Sequence, residues 1–451
     1  VGFRYDQQEG ANSPSSAAAS GFAPDLLPAL NFQGNNPDFE FENIVPRLGV
    51  TYALGEDRRT LLRGSYSQFA DQLGTNLIAD VNPLGVAIAV FEGVDVDGNG
   101  ILDPGEPAVF DTPIGFDPAN PGGADSPSRI DPDLDAVVTE ELVLGIEHSF
   151  LPELVGGFSV TWRQSDDYYD TLGLYRDDVT GEEVIVTAAD YVLDTDVQLD
   201  NQGGAGTPGF VSGLLPDGTP FQVPVYRVRD GLTNTGGLLY TNTDRSTEYL
   251  GYSLSATKRL SNKWMLRAHF TYYDWDWSIG DEFRRFDDPT DGHNDNAEFH
   301  EWNVDNDGAI YAEESGGSGN VDLFLNSRWS FNVSGLYQLP WGVNVSANIN
   351  GREGYPLAWY WDTVPSEGGK NVQVAEVGRD RVDDIITTDV RVDKDFQFGD
   401  LGVTLSVDVF NLFNEGYVLQ REVDVSGSRS GFVDQIIGPR VARLGVRLAW
   451  K

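Results

Sequence analysis

The chain has 451 residues, and its acidic residues (71) outnumber the basic ones (30), so the formal net charge is −41. This balance argues against a nucleic-acid partner, because a surface that binds phosphates needs clustered Lys and Arg. The sequence contains no Cys, which excludes disulfides and thiolate metal sites. Hydrophobic residues make up 40% and aromatic residues 12%, which predicts an ordered protein.

The sequence begins with Val1 in a segment that is already strand-like, and no signal peptide precedes it. We therefore expect a fragment or a processed chain. No apolar run reaches the roughly 18 residues of a membrane-spanning helix. Any membrane span must then consist of strands, because lipid offers no partners to unpaired backbone groups.

Apolar and polar residues alternate with a period of two along much of the chain, as in strands that have one apolar and one polar face. This alternation predicts twelve strands, at 1–8, 43–54, 58–71, 134–149, 154–172, 240–260, 262–279, 326–338, 341–355, 384–397, 400–416 and 438–450.

The connections between these strands alternate in length. Tight turns are predicted at Gly55–Asp57, Leu151–Glu153, Ser261, Pro340 and Gly399–Asp400. The long connections are 9–42, 73–133, 173–239, 280–325, 356–383 and 417–437. Short turns on one rim and long loops on the other are the layout of outer-membrane barrels. A large soluble sandwich or propeller also alternates, but it would not be expected to sort its loops in this way.

One predicted strand departs from its own pattern. Trp264, Leu266, Ala268 and Phe270 share the apolar face, but beyond Tyr272 the parity changes. Trp275 and Trp277 then fall on the other face, which predicts a bulge or an extension beyond the bilayer. Aromatic residues near strand ends are expected to form interfacial girdles; these are Tyr272, Tyr273, Trp275, Trp277, Trp341, Tyr355, Trp359, Tyr360, Trp361 and Trp450.

Segments near the end of the chain resemble a known family. Asp408–Asn414 and Arg440–Trp450 resemble the last two strands of TonB-dependent outer-membrane receptors. Asn43–Tyr52 and Leu62–Asp71 are similar to paired mid-barrel strands of the same family, and the Oar-like group is the most similar variety. The resemblance extends over most of the strands, but the long loops share little with it. The family's chain usually ends on the aromatic residue, whereas here Lys451 follows Trp450.

The resemblance implies an all-β fold, an antiparallel transmembrane β-barrel of about 22 strands. Residues 1–451 would then be its C-terminal portion of about twelve strands, without the plug domain. It implies a protein of the bacterial outer membrane, in contact with outer-membrane lipid and with TonB through a plug that this chain lacks. Its function would be to bind an unknown extracellular ligand and import it. No catalytic triad or nucleophile elbow is recognisable, so an enzyme is not expected.

The loop at 73–133 contains a segment with the spacing of a calcium loop. Asp95–Glu106 fits the twelve-residue EF-hand pattern at every key position. Calcium is a hard cation that takes six to eight oxygen ligands, and this spacing wraps oxygens around one point. The predicted ligands are Asp95, Asp97, Asn99, Ile101 through its carbonyl, Asp103 and Glu106. We do not expect flanking helices, and the alternative is a solvated acidic loop.

A weaker copy of the same motif lies in the loop at 280–325. It covers 303–314, with Tyr311 at the ninth position and a neutral first ligand, so a lower affinity is expected. The predicted ligands are Asn303, Asp305, Asp307, Ala309 through its carbonyl and Glu314.

Two other functions remain open at this stage. One is a structural or adhesive outer-membrane barrel with calcium-stabilised loops, which binds a surface partner without transport. The other is a secreted, calcium-binding β-rich protein. A plug domain encoded directly upstream would favour the transporter, whereas partition into the soluble fraction would exclude both barrels.

Overall fold

The twelve predicted strands are present and form one antiparallel sheet. A computed structural model describes residues 1–451 except 38, 86, 97, 99–105, 124, 279, 291–326, 367–368, 377 and 451. The sheet strands are β1 (Gly2–Gln8), β2 (Phe41–Leu54), β3 (Thr60–Ala70), β4 (Val138–Leu151), β5 (Leu154–Asp166), β6 (Ser246–Ser261), β7 (Trp264–Ser278), β8 (Trp329–Leu339), β9 (Val343–Arg352), β10 (Ile385–Phe398), β11 (Leu401–Phe410) and β12 (Val441–Trp450).

The order of the strands in the sheet is their order along the chain. Every strand therefore pairs antiparallel with its neighbours in sequence, and all long connections lie at one end of the sheet. β1 and β12 are its edge strands, so the sheet is open within this chain.

Tight turns join strands at the other end, as the sequence predicts. Between β6 and β7, Asn262 (φ 48°) and Lys263 (φ 71°) both have positive φ and connect the paired Ser261 and Trp264. Positive φ at both central residues is the geometry of a type I′ turn, whose twist matches that of a hairpin. Gly399, with φ 61°, supports the turn between β10 and β11 in a conformation that glycine adopts without strain.

The two faces of the sheet differ in polarity, and the apolar face is exposed. Leu444 and Val446 on β12 retain 83% and 69% of their surface. On the opposite face, Ser406 and Asp408 of β11 are buried, and Arg443 Nε donates to Asp408 Oδ2 at 3.2 Å. Shielding a Leu or Val side chain from water contributes about 1.5–3 kcal/mol. A continuous row of exposed ones therefore requires an apolar solvent, which lipid supplies.

Several predicted strands were too long, among them 400–416, which ends at Phe410, and two of them run into separate strands of the connections. The predicted strand 154–172 ends at Asp166, because Asp167 has a positive φ of 63° and turns the chain. A separate strand then begins at Tyr169 and pairs with Leu232–Asn242, outside the main sheet. The predicted strand 240–260 likewise begins only at Ser246. Period-two alternation continues across the turn at Asp167 and across residues 243–245, so the pattern alone could not locate these two breaks.

The long connections contain secondary structure of their own. Their strands are Ser15–Ala17, Leu30–Phe32, Ile88–Gly93, Ala108–Ile114, Arg129–Ile130, Tyr169–Asp177, Glu183–Ile185, Tyr191–Leu193, Gln198–Asp200, Phe210–Leu214, Pro220–Pro224, Tyr226–Val228, Leu232–Asn242, Pro356–Leu357, Tyr360–Val364, Lys370–Gln373, Asp380–Arg381, Val418–Arg421 and Val433–Ile436. The helices are α1 (Thr75–Asp80) and α2 (Asp281–Phe286), with short 3₁₀ turns at Ala188–Asp190 and Pro340–Gly342. In the described part of the chain, no helix is long and apolar enough to cross a membrane.

Two hydrophobic clusters pack these connections together. The larger one joins the connections after β5, β9 and β11, and its members include Val211, Val372 and Val425, which are at most 1% exposed. The smaller one joins the connections after β1, β3 and β5. Three residues predicted to lie in an interfacial girdle, Tyr355, Trp359 and Trp361, are instead buried in the larger cluster. That part of the girdle prediction is wrong, because sequence position alone does not distinguish an interfacial ring from a loop core.

A buried ion pair ties the connection after β7 to the one after β9. Lys370 and Asp288 form a salt bridge with side chains 0% and 1% exposed. Lys370 Nζ also donates to the Tyr226 carbonyl at 3.0 Å, and the Thr290 N–H donates to Asp288 Oδ1 at 2.8 Å. The charges are thus compensated on both sides, which a buried pair requires.

We predict that Lys370→Met and Asp288→Leu each loosen the loop layer, because one buried charge is then left without its partner, at a cost of about 3–5 kcal/mol. The double variant leaves no buried charge and should recover much of this loss. Hydrogen exchange of Tyr226–Val228 and Lys370–Gln373 provides the measurement. Protection that is unchanged in both single variants would contradict a stabilising role for the pair.

Candidate ligand-binding site on the polar face

A hairpin holds the base of the first predicted calcium loop. Strands Ile88–Gly93 and Ala108–Ile114 pair antiparallel and bring the ends of the motif together. The Val96 N–H donates to Glu106 Oε1 at 2.7 Å, and the Gly98 N–H donates to Asp95 Oδ1 at 2.6 Å. The motif is flanked by two strands, which the sequence did not predict; the sequence predicted only that helices do not flank it.

Most predicted calcium ligands lie outside the described residues. These are Asp97, Asn99, Ile101 and Asp103 of the first motif, and Asn303, Asp305, Asp307, Ala309 and Glu314 of the second. Within the described ranges, no three His, Asp or Glu side chains form a group that could hold a metal ion. The calcium sites therefore remain predictions.

The polar face carries a pocket at the end of the sheet where the long connections begin. Its volume is about 480 Å³, and its lining side chains come from β3 to β7 and from the start of the connection after β5. The lining residues are Phe69, Thr139, Glu141, Arg163, Ser165, Tyr168, Thr247, Tyr249, Tyr273 and Trp275. A pocket of about 300–1,000 Å³ is typical for small-molecule ligands.

Strand register explains why these residues meet. Glu141 pairs with Arg163, Arg163 with Tyr249, and Tyr249 with Trp275, so the four side chains stand side by side across β4–β7. Residues directly opposite each other in antiparallel strands project to the same face. The neighbouring row contains Phe69, Thr139, Ser165 and Thr247 in the same way.

Aromatic rings form one side of the pocket. Tyr249 stacks on Tyr273 with ring centroids 5.6 Å apart, and Trp275 meets Tyr249 edge-on at 6.4 Å. Gly251 makes room for this arrangement, because a Cβ there would lie 2.5 Å from the Tyr249 hydroxyl oxygen. Trp275 is 38% exposed, so part of its ring surface is available to a ligand. Phe69 is 36% exposed, but the Arg47 guanidinium lies over its ring, 5.1 Å from the centre.

Polar groups form the other side. Arg163 donates to Glu141 Oε2 from Nε at 3.2 Å and from Nη2 at 2.5 Å, and its guanidinium lies 5.8 Å from the centre of the Tyr249 ring. Two hydroxyl pairs complete this side: Thr139 with Ser165 at 2.8 Å, and Tyr168 with Thr247 at 3.1 Å.

An ion pair at the pocket's outer border holds Tyr168. The Arg245 guanidinium lies 5.6 Å from the centre of the Tyr168 ring and forms a salt bridge with Asp170 at 2.6 Å. Burial raises the pKa of the Asp170 carboxyl, although Arg245 and the Thr243 hydroxyl oppose this shift. The Arg245–Asp170 ion pair therefore holds the Tyr168 ring at the pocket, and the two charges of the pair compensate each other.

The sequence did not predict this pocket, although it shows the change of alternation in β7 that accompanies it. The change of parity beyond Tyr272 predicted either a bulge or an extension beyond the bilayer. The pairing of β6 with β7 runs in regular register from Lys258–Leu266 to Ser246–Ser278, which contradicts the bulge alone. Tyr273 and Trp275 are on the polar face because the strand continues regularly. The change in the pattern therefore marks a change in the chemistry of the face, not in the backbone.

A sheet with a lipid-compatible face, a polar face and one-sided long loops defines the membrane-barrel class. The chain belongs to the family described as outer membrane beta barrel domain, whose model matches residues 1–353. The protein is therefore located in the bacterial outer membrane and belongs to a barrel family rather than to a family of enzymes. This confirms the predicted fold class and location.

Several solved structures are similar to the chain at low identity. The outer membrane transporter YddB from Escherichia coli is 12% identical with a TM-score of 0.42, over 93% of this chain and 42% of that one. The siderophore receptor PiuA from Acinetobacter baumannii is 12% identical with a TM-score of 0.45, over 98% and 39%. The chain thus spans about two fifths of their length. No curated protein sequence matches the chain.

We predict that Tyr249 and Tyr273 stabilise each other. In a double-mutant cycle, Tyr249→Ala and Tyr273→Ala should couple by about 0.5–1.5 kcal/mol, the usual range for an aromatic pair. The matched control combines Tyr249→Ala with Tyr252→Ala, because Tyr252 is on the opposite face of β6 and should not couple. Denaturant unfolding in lipid vesicles provides the measurement, and equal coupling in both cycles would contradict the stacking.

Proposed function

We propose that this chain is part of a receptor that binds a small extracellular ligand in the polar-face pocket and imports it. The observation that carries the proposal is the pocket itself, which combines aromatic and hydrogen-bonding side chains at the long-loop end of the sheet. In an outer-membrane barrel that end faces the outside and the polar face lines the interior. A ligand bound there is at the entrance to the barrel.

The packed connections support a receptor rather than a simple pore. Clusters of buried side chains join loops that follow different strands, so packed loops lie at the long-loop end of the sheet. Ordered loops position binding groups at lower entropic cost than mobile ones do. A structural or adhesive barrel would bind its partner on the outer surface and would have no need of a pocket on the interior face.

We also propose a source of energy for import of the ligand. The resemblance of the last two strands to TonB-dependent receptors supports import driven by TonB through a plug domain. Contact with TonB would then be made by the plug, and this chain would supply the ligand site and part of the wall of the barrel.

We predict that Tyr249→Ala, introduced into the complete gene of the source bacterium, abolishes growth on the nutrient that the receptor imports. A screen of limiting nutrients on wild-type cells, Tyr249→Ala cells and cells without TonB provides the measurement. The variant should fail on a subset of the nutrients on which cells without TonB fail. Tyr252→Ala, on the lipid-facing side of β6, is the matched control and should grow normally.

Normal growth of Tyr249→Ala cells on every nutrient that requires TonB would contradict import through this pocket. So would a growth defect that is equal on nutrients that do not require TonB, if the variant is present in the outer membrane at the normal amount. The same defect with a reduced amount would indicate a failure of barrel assembly. The amount of protein in the outer membrane is therefore measured for each variant.

We further propose that Ca²⁺ binds at 95–106 and at 303–314, as the motif spacing predicts. The contacts of Asp95 and Glu106 at the base of the hairpin support the first site, because they bring the first and last ligands of the motif to one end of the loop. Calcium plays a structural part in this proposal: it neutralises the acidic loop and stabilises the loop layer.

We predict that Ca²⁺ raises the thermal stability of the protein and that Asp95→Ala removes most of the gain. A ligand at 100 times its Kd stabilises the folded state by about 2.7 kcal/mol. Thermal unfolding of the complete receptor with calcium and with chelator tests this. Asp111→Ala, in the hairpin outside the motif, is the control and should keep the gain. Equal melting with calcium and with chelator would contradict the proposal.

A further inference from the structure

The polar-face pocket also indicates which kind of ligand it takes. We propose that the pocket binds an uncharged sugar unit of a short oligosaccharide. This inference rests on the proposed function, because it names the ligand class of the same site. It follows from the charge of the lining, from its free hydrogen-bonding atoms and from its aromatic surface.

The lining has no net charge. Its charged side chains are Arg163 and Glu141, and these pair with each other. An anionic ligand would compete with Glu141 for Arg163, and it would also approach through a chain with a net charge of −41. A cationic ligand would compete with Arg163 for Glu141, which is the only carboxylate among the lining residues. An uncharged ligand leaves the ion pair intact.

The ion pair presents a donor and an acceptor next to each other. Both bonding nitrogens of Arg163, Nε and Nη2, donate to the same oxygen, Glu141 Oε2. In the described part of the chain, Arg163 Nη1 and Glu141 Oε1 have no hydrogen-bond partner. A sugar hydroxyl donates and accepts at once, so two adjacent hydroxyls match this donor and this acceptor. Bonds to charged groups are also the stronger ones.

The remaining lining matches the other surfaces of a sugar ring. One face of a pyranose carries mainly C–H groups, which pack on the electron-rich face of an aromatic ring. Trp275 lines the pocket and is partly exposed, so it offers such a face. The Phe69 ring has the Arg47 guanidinium over one side and offers less of its surface. The Thr139–Ser165 and Tyr168–Thr247 hydroxyl pairs can exchange hydrogen bonds with further ligand hydroxyls. A purely apolar ligand would leave these polar groups unsatisfied, which is costly.

The size of the pocket favours more than one sugar ring. A volume of about 480 Å³ is in the range of pockets that hold drug-sized molecules. For a carbohydrate, a ligand of that size is a short oligosaccharide. The expected ligand is therefore a neutral di- or trisaccharide, or the end of a longer chain.

Binding to outer membranes that contain the complete receptor tests the inference. Labelled maltotriose, cellotriose, laminaritriose and chitotriose are compared with the acidic trigalacturonate. At least one neutral trisaccharide should bind saturably and more tightly than trigalacturonate. Trp275→Ala should weaken that binding on the order of tenfold, the scale of an aromatic hot-spot residue. Trp264→Ala, on the apolar face of the same strand, is the matched control and should bind as the unmodified protein does.

Other outcomes overturn the inference. These are no binding of any neutral trisaccharide, preferential binding of trigalacturonate, or equal binding by the Trp275→Ala variant. Failure here is distinguishable from failure of the proposed function. If Tyr249→Ala cells lose a TonB-dependent nutrient while no sugar binds, import stands and the sugar assignment falls. If a sugar binds at Trp275 but no nutrient depends on TonB, the assignment stands and import falls.

Discussion

The pairing of backbone groups between neighbouring antiparallel strands is the constraint on which the rest of the structure depends. In lipid an unpaired N–H or C=O costs several kcal/mol, so a strand can cross only within a paired sheet. Pairing also fixes the register, and register decides which side chains share a face. The apolar face formed by residues such as Val345 and Ile349 and the polar face formed by Asn348 and Asn350 are both consequences of one hydrogen-bond ladder.

The same ladder positions the pocket and the loop layer. Glu141, Arg163, Tyr249 and Trp275 come from four strands, and only their shared register brings them side by side. Above them, the connections are long enough to form cores of their own, which replace lipid as the environment for apolar side chains such as Trp361. Apolar side chains of the protein are therefore shielded from water in two ways, by lipid around the sheet and by the packed loops at its end. The pocket lies where the sheet and these loops meet.

The strands and turns could be predicted from the sequence because they follow local rules. The alternation of Leu444, Val446 and Leu448, or the tight turn after Ser261, needs no knowledge of distant residues. The loop cores could not be predicted, because Val211, Val372 and Val425 meet only through the tertiary fold. The pocket could be predicted only in part. The sequence shows that the alternation changes at Tyr273 and Trp275, but it does not show that these residues stand beside Tyr249 on the neighbouring strand. The calcium motifs, read from spacing alone, remain predictions.

One face of this sheet meets lipid and the other meets water. Because the chain contains no Cys, single cysteines introduced along β9 report on each position separately. Labelling of intact outer membranes with a small water-soluble maleimide is the most direct measurement. We expect cysteines at Asn344, Ser346, Asn348 and Asn350 to react, whereas those at Val345, Ala347 and Ile349 are protected. Equal reaction at both sets of positions would contradict this assignment of the faces.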